Sequence, residues 1–374
     1  MRIALTGGRS PLALYFAKKL SEQGHKLFML EHFSPTFATY SSFFEEVKLI
    51  ASPAKNWTLF SKQVLAYLQA NAIDLLLPIN EETLYYAQLQ AELHKLGITF
   101  LIGELPLLET LHNKYYFINW CESIGIAVPH TEKYYGQDVD FTQNLVKPEY
   151  SRFGQAVFLD EHAFSKAPTN KAYLVQEKLA GQQICVCLMI KDSQLVSVIA
   201  HDTNLGIESY ASITYVPFQH PQLDQLITRL AENLGANGFY SFDFFFTGTD
   251  FYPIECNPRL TVGAILDGDN LIAHLLGEVK PQAIRSDSYG IKLVWWWRII
   301  TRRNWRQTIR SYKQANDVLK EAFTFKTWCM LPWVLASYYV KGRQLGLNVT
   351  DFVVHDISYP PPSERKEQSD DESS

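Results

Sequence analysis

The stretch that most constrains this chain is residues 239–259, FYSFDFFFTGTDFYPIECNPR. Two apolar, β-prone runs, Phe239–Phe246 and Phe251–Cys256, flank a Thr-Gly-Thr-Asp turn, the pattern of a hairpin. Glu255 and Asn257 stand at i and i+2 of the second strand, so both side chains leave one face. Asp243 of the first strand joins them only in the right register. An odd loop, for instance Gly248-Thr249-Asp250, sets Asp243 opposite Glu255, whereas a two-residue turn sets it opposite Ile254 and sends its carboxylate to the other side. In the first case two carboxylates and an amide oxygen converge on one spot. That is a hard-cation site, suited to Mg²⁺, or Mn²⁺ in its place, carrying a nucleotide phosphate. Arg259 follows at once as a positive fork for a phosphate or developing oxyanion. The plain alternative is a hairpin with one wet face. Against it, these acids lie uncompensated among apolar residues, and crowded carboxylates require a cation or a raised pKa.

With 374 residues, two or three domains are expected, each able to bury a core. The net charge of −5 argues against a nucleic-acid binder. Much of it comes from the tail 361–374, where Glu364, Glu367, Asp370, Asp371 and Glu372 face Arg365 and Lys366. The five cysteines form no CxxC pair; Cys185 and Cys187 share a strand face without disulfide or metal-ligand spacing. Buried free thiols fit a reducing compartment, so a cytoplasmic location is expected. The start MRIALTGG reads as a strand, not a secretion signal, and no apolar run reaches the roughly 18 residues of a spanning helix.

Over 1–105, strands near 2–6, 26–30, 47–50, 74–77 and 98–102 alternate with helices beginning at Pro11 and near 56–70 and 81–95, which predicts a parallel α/β sheet. Gly7-Gly8 lacks the rest of a G-x-G-x-x-G fingerprint, and a tight βα turn explains it equally well. Asn80, Glu81 and Glu82 follow a strand, where such sheets place ligands, although helix capping by Asn80 accounts for them too. From 106 to 280 the pattern becomes antiparallel α+β: a helix over 113–124, short strands at 144–147 and 173–176, longer ones at 184–190 and 195–201, and a helix over 221–234. Residues 285–359 read as a separate extension. There Trp295-Trp296-Trp297 precedes a basic stripe of Arg298, Arg302, Arg306, Arg310 and Lys313. The uncharged run Thr327–Val340 contains Pro332 and would cover about 21 Å as a helix, short of a bilayer core; burial is favoured over an interfacial anchor. Peripheral membrane contact through 290–350 remains an expectation to test. Residues 360–374 have the composition of a disordered tail.

Taken together, Lys114 at a helix start, Lys147-Pro148 after a strand, Val175-Gln176-Glu177-Lys178-Leu179 with Gly181, and Asp243 with Glu255-Cys256-Asn257-Pro258-Arg259 resemble the ATP-grasp superfamily. The resemblance covers roughly 1–275 and is most specific in the E-x-N-P-R element. Its layout is similar to stand-alone carboxylate–amine ligases, with a Rossmann-like domain ahead of a two-subdomain ATP-grasp fold. It implies that Lys114 and Lys147 hold α- and β-phosphates, and that Gln176, Glu177 and Leu179 line an adenine slot. Gln183 would meet the ribose where many relatives carry glutamate. Arg152 would stand in a phosphate-covering loop, 149–155, that has a single glycine. Asp243, Glu255 and Asn257 would ligate the metal, with Arg259 and Lys147 acting in catalysis.

The implied reaction activates a carboxylate as an acyl phosphate with ATP, then joins it to an amine, or less often a thiol, releasing ADP and phosphate. An ATP-binding regulatory module or inactive relative is the alternative. The substrates would be small molecules, with His201, Asp202, Asn204 and Arg9 as candidate contacts.

Overall fold

The computed structural model describes residues 1–151, 157–203, 206–207, 211–278, 287–293, 309 and 313–360. The chain divides into two compact units: Met1–Leu105 together with the chain from Leu319 onward, and Pro106–Val318.

In the first unit, strands β1 (Arg2–Thr6), β2 (Lys26–Glu31), β3 (Phe44–Leu49), β4 (Leu75–Leu77) and β5 (Thr99–Phe100) form a parallel sheet of order β3-β2-β1-β4-β5. Ser10 accepts a hydrogen bond from the Leu12 amide and caps the helix Pro11–Glu22, whose Leu12, Tyr15, Phe16 and Leu20 are buried. The predicted helix over 81–95 is two, Thr83–Ala87 and Gln90–Lys95.

The strand order reverses beside β1, the position at which open α/β sheets receive ligands. Here that position is occupied by the chain itself. Gly7 has φ +73°, and a Cβ on it would come within 2.3 Å of Asn80 Nδ2; a Cβ on Gly8 would lie 2.4 Å from the Ala38 Cβ. The two glycines are required by packing. Arg9 is clamped between Glu31 (2.7 Å) and Asp356 (2.6 Å), all three side chains almost fully buried. Glu82 accepts from Thr6 Oγ1, and Glu81 accepts from the Tyr359 amide at 3.0 Å. The helix Thr83–Ala87 has Glu82 at its N-cap without a side-chain cap bond, so the expected capping by Asn80 is not found; the Asn80 carbonyl accepts from the Thr83 hydroxyl at 2.6 Å. Arg9 is therefore consumed in a structural ion pair, contrary to its candidacy as a substrate contact.

The expected separate extension over 285–359 is divided between the units. From Leu319 onward it belongs with Met1–Leu105, held by Asp356 on Arg9 and by the helix Phe325–Gln344, whose Tyr338 ring lies 5.7 Å from Phe33 and 5.9 Å from Phe37. Trp295-Trp296-Trp297, Arg298, Arg302, Arg306, Arg310 and residues 361–374, for which the sequence raises a basic stripe and a disordered tail, lie outside the described residues.

The second unit holds β6 (Thr131–Lys133), β7 (Asn144–Pro148) and β8 (Tyr173–Glu177) in a small antiparallel sheet with β8 in the middle. Its core is Val146, Tyr173 and Val175. Then follow β9 (Gln182–Lys191), β10 (Gln194–Asp202), the short pair β11 (Gly206–Ile207) and β12 (Ala211–Ser212), β13 (Thr214–Pro217), β14 (Gly238–Phe246), β15 (Phe251–Asn257), β16 (Tyr289–Gly290) and β17 (Asn316–Asp317). Seven of these make the larger sheet, in the order β15-β14-β9-β10-β13-β16-β17. Alternation along β14 buries Tyr240, Phe242 and Phe244 on one face, with Phe242 5.9 Å from Phe117 of the helix Lys114–Ser123. Ser241 and Asp243 point to the other face. Gly181, between the two sheets, must be glycine: a Cβ there would sit 2.1 Å from the Phe246 carbonyl oxygen.

Candidate functional site

Neither turn expected from the sequence connects β14 to β15. Phe246 pairs with Phe251, so the turn has four residues, Thr247–Asp250, and that count alone would set Asp243 opposite Ile254. A bulge corrects it. Phe244 faces Pro253, the next pair is Asp243 with Glu255, and Ile254 is the extra residue between them. Bulges re-aim side chains in this way beside functional sites. The bulge also turns the Ile254 carbonyl outward, where Lys147 Nζ donates to it at 3.1 Å.

A row of cross-strand partners crosses the sheet at this level. Pro217, His201, Cys185, Asp243 and Glu255 are successive cross-strand partners. Lys114, at the first turn of a helix capped by Asn113, reaches this row and lies 3.2 Å from Glu255, also donating to the Ser151 carbonyl at 3.1 Å. Its position is fixed from below: its amide donates to the Glu149 carbonyl, and Asn113 Nδ2 donates to the Glu149 carboxylate at 2.8 Å. Asn257 donates to Glu255 Oε1 at 3.4 Å and accepts from Arg259 Nη2 at 3.3 Å, so the E-x-N-P-R element is a hydrogen-bonded chain.

The electrostatics follow from this crowding. Burial and the adjacent charge on Glu255 hold the Asp243 carboxyl well above its usual range, and it donates to Glu255 while accepting from the Cys185 thiol. Burial also favours neutral Glu255, but Lys114, the bond from Asp243 and Lys147 outweigh it and bring Glu255 to about 2. Burial, with Lys114 beside it, lowers Lys147 to about 7. Two carboxylates thus share one proton, which a cation would displace. Among the described residues no group of three His, Cys, Asp or Glu is spaced for a metal. The donors here are two acids and the Asn257 amide oxygen, a set that fits Mg²⁺, which keeps water and phosphate oxygens in its remaining positions.

The other predicted residues divide. Gln183, half-buried on β9, donates to Cys185 on the same face as Asp243. Gln176 is buried in the central strand of its sheet, its amide donating to Thr131 Oγ1 at 2.8 Å, and the plain alternative of an edge strand is overturned. Glu177 is exposed and Leu179 half-buried at the end of β8. Lys178 is tied down by its amide to the Gln143 carbonyl and by Nζ to Phe141 and Leu159 carbonyls. His201 is 2 % exposed and covered by Gly263, so it is core rather than a substrate contact. Arg152 and Asn204 lie outside the described residues. Sequence reading missed Cys185, Glu149 and the Ile254 carbonyl as parts of the site. The even spacing of Gln183 and Cys185 was a usable signal; the Ile254 carbonyl had none.

Residues 111–263 match a family model described as an ATP-grasp domain. This segment is an ATP-grasp domain, and it contains every site residue named above from Lys114 to Arg259. Solved structures share the fold at low identity. N5-carboxyaminoimidazole synthetase from Staphylococcus aureus, complexed with ADP, aligns with TM-score 0.61 and 13% identity over 77% of this chain and 80% of that one. L-amino acid ligase from Bacillus licheniformis aligns with TM-score 0.58 and 12% identity, covering 77% and 79%. The biotin carboxylase domain of Hydrogenobacter thermophilus 2-oxoglutarate carboxylase, in complex with MgADP, ADP and bicarbonate, aligns with TM-score 0.57 and 15% identity, covering 76% and 72%. Among curated proteins no significant match is found.

Proposed function

We propose that this chain is an ADP-forming ligase that activates a small carboxylate with ATP and joins it to an amine or a thiol. The carrying observation is the convergence of Asp243, Glu255 and Asn257 on one face with Lys114 against them and Lys147 bonded to the bulge. In the reaction a carboxylate oxygen attacks the γ-phosphorus and the bond to the β-phosphate oxygen breaks, releasing ADP. The amine nitrogen then attacks the acyl carbon, and phosphate leaves with loss of a proton from nitrogen.

The task of the protein is to bring anions together, so positioning and fixed charge carry the catalysis. Asp243, Glu255 and Asn257 would hold Mg²⁺, which supplies charge to the phosphate oxygens when bound. Lys114 and Lys147 would neutralise phosphates; Lys147, near 7 in its resting state, would be kept charged by the triphosphate. Arg259, aligned by Asn257, would face the transferring group. With Gln176 buried, pairing to the purine edge falls to Glu177 and Leu179, and Gln183 meets the ribose. Arg152 would help cover the phosphates. A cytoplasmic setting suits this chemistry.

The test is ADP release from Mg-ATP in a screen of acids and amines. Release that requires both substrates supports the ligase. ATP binding with no release across the screen would favour the regulatory module.

A further inference from the structure

The helix Phe325–Gln344 has two unlike faces. Thr327, Leu331, Val334, Tyr338 and Gly342, at spacings of three and four, form the inner stripe and are buried. A surface helix normally sets charged residues opposite such a stripe. This one does not. At 100° per residue Phe325, Cys329, Trp333, Ala336 and Val340 fall within an arc of about 80° on the outer side. Phe325 is 86 % exposed, Trp333 59 %, Tyr339 59 % and Val340 52 %. The uncharged run expected to be buried is thus buried on one side only. No helix among the described residues is long and apolar enough to cross a membrane.

The charges that this helix itself carries, on Lys326, Lys341 and Arg343, have one sign. Lys326 and Arg343 are exposed at its two ends, and the sequence holds no Asp or Glu between Ala322 and Thr350. A second copy docking by the same face, antiparallel, would set Lys326 against Arg343, and like charges across an interface oppose association. An anionic surface meets no such repulsion. The exposed rings are Trp, Tyr and Phe, and the first two prefer the boundary between apolar and wet phases.

We propose that the outer face of Phe325–Gln344 docks on an anionic lipid bilayer, with Phe325, Trp333, Tyr339 and Val340 entering the headgroup region and Lys326 and Arg343 meeting lipid phosphates. The helix lies along the membrane plane, since its uncharged part is too short to span. The proposal stands on this face alone and is independent of the ligase reading.

The full-length protein is sedimented with phosphatidylcholine vesicles with and without phosphatidylserine. The wild type is expected to pellet with the anionic vesicles, less so as salt rises. The double variant Trp333→Ser/Tyr339→Ser should lower partitioning at least tenfold, and Lys326→Glu/Arg343→Glu should remove the preference for anionic lipid. Each variant should melt as the wild type does, because the four side chains are exposed. Wild type left in the supernatant, or pelleting untouched by the aromatic variant, would overturn the proposal. So would lipid-free dimerisation abolished by Trp333→Ser, which would assign the face to a second copy.

Discussion

Replacing Glu255 by glutamine separates the cation-binding role of the site from its part in the fold. Lys114 lies 3.2 Å from Glu255, a separation worth about 5 kcal/mol of gross attraction at an effective dielectric near 20. Were nothing to take its place, much of that would be lost and the variant would unfold readily. The shared proton changes the outcome. Burial first, and then the charge on Glu255, favour the neutral form of Asp243; with glutamine at 255 the second cause vanishes, burial remains, and Lys114 is left to draw the negative charge onto Asp243 instead. The resting pair therefore carries one negative charge in both proteins. Stability should change by less than about 1 kcal/mol in urea denaturation, a residue of the kind expected when one paired group substitutes for another. Cation binding has no such compensation, because the loaded site uses both carboxylates. Mg-ATP affinity, measured by titration calorimetry, should fall by at least about 10- to 100-fold, the range seen for disturbed metal sites. Unchanged affinity would show that Glu255 is no ligand, and a loss above about 3 kcal/mol in stability would refute the shared-proton argument.

Three further predictions concern packing inside each of the two units. Asp356→Ala leaves buried Arg9 with half its counter-charge and should cost about 3–5 kcal/mol; a loss under 1 kcal/mol in denaturant titration would show the clamp to be incidental. His201 is held by burial at about 4, below the ordinary 6.5. The unfolded chain therefore binds the extra proton first, so its contribution is complete above pH 6.5 and declines as pH falls towards 4. The span corresponds to about 3 kcal/mol, and His201→Phe should flatten that part of the stability–pH curve. Gly263→Ala places a methyl 2.1 Å from His201 Nε2 and should cost about 1–3 kcal/mol; adding His201→Ala should return part of the loss, and strict additivity would contradict the contact.

Local patterning carried the reading of 239–259 a long way. Side chains alternate along any strand, so the sequence alone placed Glu255 and Asn257 on one face, and the apolar runs around them fixed a hairpin. The α/β alternation of 1–105 was legible for the same reason, as was the resemblance to ATP-grasp enzymes, which is carried by short motifs between Lys114 and Arg259, each readable from a few neighbouring residues. Whether Asp243 joined Glu255 was not legible. That depended on turn length and on a bulge at Ile254, and an irregular backbone position leaves no mark on hydrophobic periodicity.

Distance along the chain set the other limit. Arg9 reads as a free cation after a strand, and only the folded chain brings Asp356 to it. His201 reads as a polar residue at a strand end until Gly263 is seen to cover it. Each residue carries its own period and charge, so the sequence determines which faces and motifs exist. Which partner each polar group finds is decided by long-range packing, because a buried charge must be met by whichever segment the fold delivers.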